Sequence, residues 1–241
     1  MEFKKTLLTA ALLATSAIAN ATVVLPGSET SLQEIVNGLT VGGVSSIDVN
    51  ANQANPDQVW SSTDSGISPV RFVAEIAGNA SVNTFGIYDI YSNATVELFN
   101  GSDTTGDKIV FEILTDGTVE LNLVDTGIDF TSSLFGFYLG TPNGTFYSQE
   151  SKNGDADQMV AFQGGHGDYI NLPGAAGNKA WTQGGWLLAF EDTAYDSSDK
   201  DFNDFVAFIE SASPVSEPGS LALLGLGLAG LGFARRKQNK A

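Results

Sequence analysis

Short apolar runs recur along the chain, separated by stretches rich in Gly, Asn, Ser, Thr and Asp. That punctuation predicts an all-β chain, with strands over residues 70–77, 82–90, 94–99, 108–114, 118–124, 133–139, 158–162, 186–190 and 205–209. Within 118–124, Val119, Leu121 and Leu123 alternate with Glu120 and Asn122, which sends the apolar set to one face of a sheet. Turn residues separate the runs at Asn100-Gly101, Asp116-Gly117, Pro142-Asn143-Gly144 and Asn153-Gly154. Asp116-Gly117 lies directly between two strand candidates and reads as a tight hairpin. One helix is predicted near the start. Ser31 followed three residues later by Glu34 forms a capping-box pattern ahead of Ile35, Val36 and Leu39, with Gly38 or Gly42 to end it. Residues 164–185 are glycine-rich and irregular and read as a long surface loop. No repeat of fixed period is visible. The expected architecture is a single β-sandwich or jelly-roll-like domain over residues 22–212 with one short N-terminal helix.

Both ends break the pattern. Lys4 and Lys5 precede an apolar run over residues 7–18, which closes on Ala19-Asn20-Ala21. A basic start, an apolar stretch and a small-x-small cleavage site define a signal peptide over residues 1–21, with Ala19 and Ala21 presented to signal peptidase. At the other end, residues 213–220 read as a linker containing Pro214 and Pro218, neither suited to a helix interior. Residues 221–234 are wholly apolar or glycine, and Arg235, Arg236 and Lys237 follow at once. This hydrophobic helix is short against the ~20 apolar residues of a usual membrane span. Snorkelling arginines and local bilayer thinning would let it span, with the basic end on the cytoplasmic side. Its four glycines suit a temporary anchor.

Between these ends, 26 Asp and Glu face five basic residues, Arg71, Lys108, Lys152, Lys179 and Lys200, for a net charge of −21. Such a domain repels nucleic acid and anionic lipid and attracts cations. Cysteine is absent, so an exported domain of this composition must rely on packing or bound metal rather than disulfides.

Charge is densest over residues 191–204, EDTAYDSSDKDFND, where Glu191, Asp192, Asp196, Asp199, Asp201, Asn203 and Asp204 crowd one loop between two apolar strands. Hard cations take about six to eight oxygen ligands, so calcium is the natural counter-charge. Neither histidine nor cysteine lies nearby, which argues against zinc or copper. Asp199-x-Asp201-x-Asn203 matches the opening of an EF-hand loop and Glu210 falls at its twelfth position. Asp204, however, replaces the glycine that the loop's sharp turn needs, and residues 205–209 read as a strand that carries Glu210 away. Asp89 and Asp157, in neighbouring loops, are further ligand candidates. Trp60, Trp181 and Trp186 are candidates for stacking on sugar rings, with Trp181 in a loop and Trp186 on a strand.

Two resemblances follow from these residues. The run Val215-Ser216-Glu217-Pro218, the apolar stretch LALLGLGLAGLGFA and the terminal Arg235-Arg236 resemble the PEP-CTERM sorting signal, with Ser216 in place of the family's first proline. That resemblance implies recognition by an exosortase-type membrane enzyme, removal of the tail and delivery to the surface of a polysaccharide-producing cell. The run from Trp186 to Asp192 and then Ser198 to Val206, with Thr84-Phe85-Gly86-Ile87-Tyr88-Asp89 and Phe135-Gly136-Phe137-Tyr138 upstream, resembles the DUF4114 domain. It implies an extracellular β-rich module of suspected calcium binding and no established enzymatic activity. The family's Asp-His-Met is Asp157-Gln158-Met159 in this chain. Nothing in the sequence selects a catalytic pair from so many loop carboxylates, and His166 has no nucleophile elbow to serve. The expectation is a non-enzymatic, calcium-stabilised protein of the cell surface or biofilm matrix. The rival reading is a lectin-like module that binds extracellular polysaccharide.

Overall fold

The computed structural model describes residues 21–24, 29–63, 66–76 and 80–215. Residues 1–20 of the signal peptide, Ala19 among them, the sorting residues Ser216, Glu217, Pro218, Arg235 and Arg236, and the hydrophobic stretch 221–234 lie outside the described residues. No helix among the described residues is long and apolar enough to cross a membrane.

In chain order the elements are α1 (Leu32–Leu39), β1 (Val59–Ser62), β2 (Ile67–Ala74), β3 (Thr84–Asp89), β4 (Thr95–Asn100), β5 (Lys108–Ile113), β6 (Thr118–Leu121), β7 (Val124–Asp129), β8 (Leu134–Thr141), β9 (Gly144–Tyr147), β10 (Met159–Gln163), β11 (Tyr169–Ile170), β12 (Lys179–Ala180), β13 (Gly185–Phe190), β14 (Phe205–Glu210) and β15 (Ala212–Val215). One sheet runs β15-β1-β8-β3-β4, with β9 also paired to β8; a second runs β10-β13-β14-β2-β5-β6-β7. The pairings in both are antiparallel. The expected all-β sandwich with one short helix is what the chain forms.

The two sheets enclose an aromatic core that includes Trp60, Phe72, Phe85, Phe111, Phe135, Phe137, Phe190 and Phe205. Phe85 lies at its centre, stacked on Phe137, Phe99 and Phe205 and meeting Phe190 edge-on. The second sheet is buried on both faces. Trp186, Leu188 and Phe190 of β13 and Phe205, Ala207 and Ile209 of β14 face the first sheet. Leu187, Ala189, Val206 and Phe208 face a second core built with Leu32, Ile35, Val36 and Leu39 of α1. This two-sided burial explains why β13 and β14 read as unbroken apolar runs rather than alternating ones. α1 forms as predicted. Ser31 accepts from the Glu34 N–H while the Glu34 side chain accepts from the Ser31 N–H, so the capping box is complete. Neither glycine ends it. Thr40 does, through its N–H and hydroxyl to the Val36 carbonyl.

Several elements differ from expectation. The strand predicted over 118–124 breaks at Asn122 and Leu123, whose φ of 51° and 65° form a two-residue hairpin turn between Leu121 and Val124. Leu123 therefore points to solvent instead of joining Val119 in the core. Asn122 keeps the sheet paired, its N–H donating to the Val110 carbonyl and its side chain accepting from the Val110 N–H. Residues 213–215, expected as the start of the linker, are not linker. With Ala212 they form the edge strand β15 along β1, an edge being where a sheet tolerates Pro214. The stretch 164–185 carries its own two-stranded hairpin, β11 with β12, and packs inward through Ile170, Leu172 and Trp181.

Candidate metal centre

The loop 191–204 connects β13 to β14, and its shape is set by a buried plug. Phe202 inserts into the second core and is fully buried. Lys200 and Phe202 both take positive φ, 64° and 52°, a conformation that costs non-glycine residues of order 1 kcal/mol each. The Phe202 N–H donates to Glu191 Oε1 at 2.6 Å, and the Lys200 carbonyl accepts from the Val24 N–H at 2.7 Å. The kinked backbone turns Asp201 and Asn203 inward, both buried, while Asp199 stays exposed.

This brings two groups of oxygens to one face. Asp199 and Asp201 meet Glu29 from the N-terminal segment, and one carboxylate oxygen from each lies within 4.8 Å of the others. Glu191 lies beneath them, buried and repelled by Asp201 and Asp199. Asp192 and Asp204 form the second group. The Asp192 N–H donates to Asp204 Oδ2 at 2.8 Å, and Asn83 Nδ2 reaches both Glu75 Oε1 at 3.1 Å and Asp192 Oδ2 at 3.4 Å. Glu29, Asp192, Asp199 and Asp204 line one open cleft of about 320 Å³ with Ile76, Ser197 and Ser198.

Donors are scarce here. Among the described residues, five buried side-chain atoms have no hydrogen-bond partner: Asn83 Oδ1, Gln158 Oε1, Glu191 Oε2, Asn203 Oδ1 and Trp186 Nε1. The four oxygens belong to loop residues or to residues bonded to the loop. Gln158 donates to the Thr193 carbonyl, and Asn203 donates to Thr30 O and Asp201 Oδ2. Each amide's orientation is fixed by its nitrogen, which already serves an acceptor. Four buried acceptors without donors are costly, each by about 1–3 kcal/mol, and their common chemistry is that of hard-cation ligands. The carboxyls respond accordingly. Burial, reinforced by the neighbouring acids, pushes Glu191 up to about 7, Asp201 to about 6 and Asp204 to about 8.

The sequence-predicted residues thus separate. Glu191, Asp192, Asp199, Asp201, Asn203 and Asp204 converge, whereas Asp196 is exposed and joins neither group. Asp89 lies apart from the loop and is supplied by protein donors: Thr131 N–H and hydroxyl, Tyr91 N–H and Ser92 hydroxyl all donate to it at 2.6–3.0 Å. Asp157 is raised to about 7 by burial and by Glu150, and it also repels Asp57; its acidic neighbours are not those of the loop. Glu210 ends β14 and pairs with Lys179 at 2.6 Å, so the EF-hand register is not adopted. Trp60 and Trp181 cannot stack on a sugar. Both are buried, Trp60 edge-on to Phe137 and Trp186, and Trp181 donating its indole N–H to the Gly185 carbonyl. Sequence reasoning missed Glu29, Glu75 and Asn83. Only the folded chain brings them to the loop, and no local spacing marks them.

An antiparallel sandwich with a kinked acidic loop between two strands buried on both faces defines the class of this molecule. Residues 104–212 match the family described as domain of unknown function (DUF4114), and residues 214–237 match the PEP-CTERM protein-sorting motif. The chain matches no curated protein and no solved structure. The sorting motif indicates an exported protein that is membrane-anchored and then sorted by exosortase-type machinery. The DUF4114 match begins at Thr104, yet β2 lies between β14 and β5, and β3 between β8 and β4. The packed unit is therefore larger than the matched segment.

Proposed function

We propose that this domain is a calcium-stabilised, non-catalytic module of the cell surface or biofilm matrix. The observation that carries the reading is the set of four buried oxygens without donors around a loop whose carboxylates meet Glu29. A cation there would neutralise the repulsion among Glu29, Glu191, Asp199 and Asp201. It would also fasten the N-terminal segment to the β13–β14 loop, a junction held otherwise by the Val24 N–H to Lys200 and the Asn203 amide to Thr30. Calcium suits the site better than magnesium. The oxygens are carboxylates and side-chain amides in irregular array, and calcium accepts variable geometry where magnesium demands a near-octahedral shell. Export, which the sorting motif indicates, supports a calcium-bound loop acting outside the cytoplasm. The crowding of these carboxylates, none isolated from the rest in an apolar pocket, supports a structural rather than an acid–base role.

Thermal melts with calcium, with magnesium and with a chelator test the reading. A calcium-specific rise of roughly 5–10 °C is expected, since ligand at a hundred times its Kd stabilises by about 2.7 kcal/mol and each kcal/mol moves a domain of this size by about 2–4 °C. Identical melting in the three conditions would remove the metal from the account.

A further inference from the structure

The fold and the sorting signal overlap in the chain. The sorting motif spans residues 214–237, and β15 runs from Ala212 to Val215. Pro214 and Val215 therefore belong to both. In the fold they are paired: Val215 lies opposite Val59, Pro214 opposite Trp60, Ser213 opposite Ser61 and Ala212 opposite Ser62. Strand pairing thus runs up to the residue before Ser216-Glu217-Pro218, and the five residues 216–220 are all that separate it from the apolar stretch 221–234.

That interval is short. Five extended residues reach at most about 18 Å, and the interfacial layer of a bilayer takes up roughly 5–8 Å of it. With residues 221–234 held in the membrane and β15 paired, the sandwich is drawn close to the surface, and about 10 Å is left for a membrane enzyme to reach the motif. The domain's net charge of −21 opposes that approach to an anionic surface. Release of β15 lengthens the tether to nine residues, at most about 32 Å.

β15 is suited to release. It is the outermost strand of its sheet, with β1 as its neighbour. Ser213, Pro214 and Val215 are half-buried, Pro214 brings no N–H to the ladder, and Ala212 alone of the four is buried in the core. The base of the strand is fixed. Ser211, the single residue between β14 and β15, takes a φ of 61° where the chain crosses from one sheet to the other. Its carbonyl accepts from the Thr63 N–H at 2.8 Å, the Ser68 hydroxyl at 3.1 Å and the Thr63 hydroxyl at 3.2 Å, and its N–H donates to the Gly184 carbonyl at 3.2 Å. None of these bonds involves β15, so the strand can peel from β1 with Ser211 as the hinge while β14 stays in place.

We propose that β15 is a releasable edge strand that gates the sorting signal. The exosortase-type enzyme engages Ser216-Glu217-Pro218 with β15 detached from β1, and the strength of that pairing sets how fast the anchored protein is sorted. The gate is independent of the cation centre. The chain has no cysteine, so Ser61→Cys combined with Ser213→Cys gives one unambiguous lock: opposed residues of an antiparallel pair lie about 4.5–5.5 Å apart at Cα, within reach of a disulfide. The full-length chain is expressed in cells carrying an exosortase-type enzyme, and its loss from the cytoplasmic-membrane fraction is followed by blotting. The locked chain should leave roughly tenfold more slowly than the parent, since the open state is blocked. Reductant should restore the parent's rate without altering the parent itself, and the locked chain should melt no lower than the parent. A flexible Gly/Ser insertion of about ten residues between Val215 and Ser216 supplies reach without detachment and should speed departure beyond the parent's rate. A locked chain sorted at the parent's rate, or an insertion chain sorted no faster than the parent, would overturn the proposal.

Discussion

Two buried carboxylates in this sandwich have opposite fates. Asp89, at the end of β3, is fully buried, and its burial alone would push its carboxyl up. Hydrogen bonds from Thr131, Tyr91 and Ser92 outweigh that and hold it below the usual carboxylate range. Glu191, at the end of β13, is equally buried, but the Phe202 N–H on Oε1 and the Ser198 hydroxyl do not outweigh that burial, and Oε2 has no hydrogen-bond partner among the described residues. Its carboxyl rises to about 7, with Asp201 and Asp199 adding to the burial. The first site solves its desolvation with protein donors and needs nothing further. The second presents acceptors to acceptors, an arrangement that a bound cation completes. Counting donors, rather than counting acids, therefore distinguishes a structural carboxylate from a ligand.

The largest expected effect breaks the first half of that comparison. Asp89→Ala strands two backbone N–H groups and two hydroxyls and should cost about 3 kcal/mol. Its melting should fall by roughly 6–12 °C, by the same amount in calcium and in chelator. Asp201→Asn sharpens the second half. It should lose most of the calcium-dependent rise of roughly 5–10 °C, yet melt no lower than the parent in chelator, because one repelling charge is gone. Glu29→Gln should lose a smaller part of the same increment, since Glu29 is exposed. It should also make the N-terminal segment more susceptible to proteolysis in calcium, as limited digestion would show.

The two sites should also differ in pH dependence. In chelator, Glu191, Asp201 and Asp204 hold their protons to about 7, 6 and 8 in the folded chain, above the roughly 4 of an unfolded carboxyl. Across that window the folded state binds more protons than the unfolded state, so stability falls as pH rises from about 5 to about 8. The groups facing this centre are the acids Glu29, Glu75, Asp192 and Asp199, with Lys200 turned over Tyr195. Calcium should flatten that decline. Asp89 acts in the other direction. Its lowered carboxyl stabilises the fold above about 4 and that contribution is lost as the medium becomes more acidic, with or without calcium. Melting curves recorded across pH in both conditions separate the two.

Much of this was legible in the chain. The acidic loop and its flanking strands follow from residues 186–209 read as pattern, because β13 and β14 are unbroken apolar runs and the dense charge between them ends one strand and delays the next. The capping box at Ser31 and Glu34 is local and was readable for the same reason. What the sequence hid is non-local. Glu29 reaches Asp199 and Asp201 only because the segment before α1 docks on the loop. Asp89 resembled a ligand until its donors were known, and those include Thr131, 42 residues away. Trp181 sits in a glycine-rich stretch that reads as surface, yet it fills the second core beside Phe208. The turn at Asn122-Leu123 was missed because leucine is unusual at positive φ and the alternation of Val119, Leu121 and Leu123 is that of an uninterrupted strand.

Calorimetric titration of calcium into the chelator-stripped protein, with the parent and Asp201→Asn side by side, tests the metal centre most directly. The account predicts saturable binding by the parent, with proton release near neutral pH as the raised carboxyls ionise, and binding at least tenfold weaker in Asp201→Asn. Absence of calcium binding by the parent, or equal binding by the variant, would contradict it.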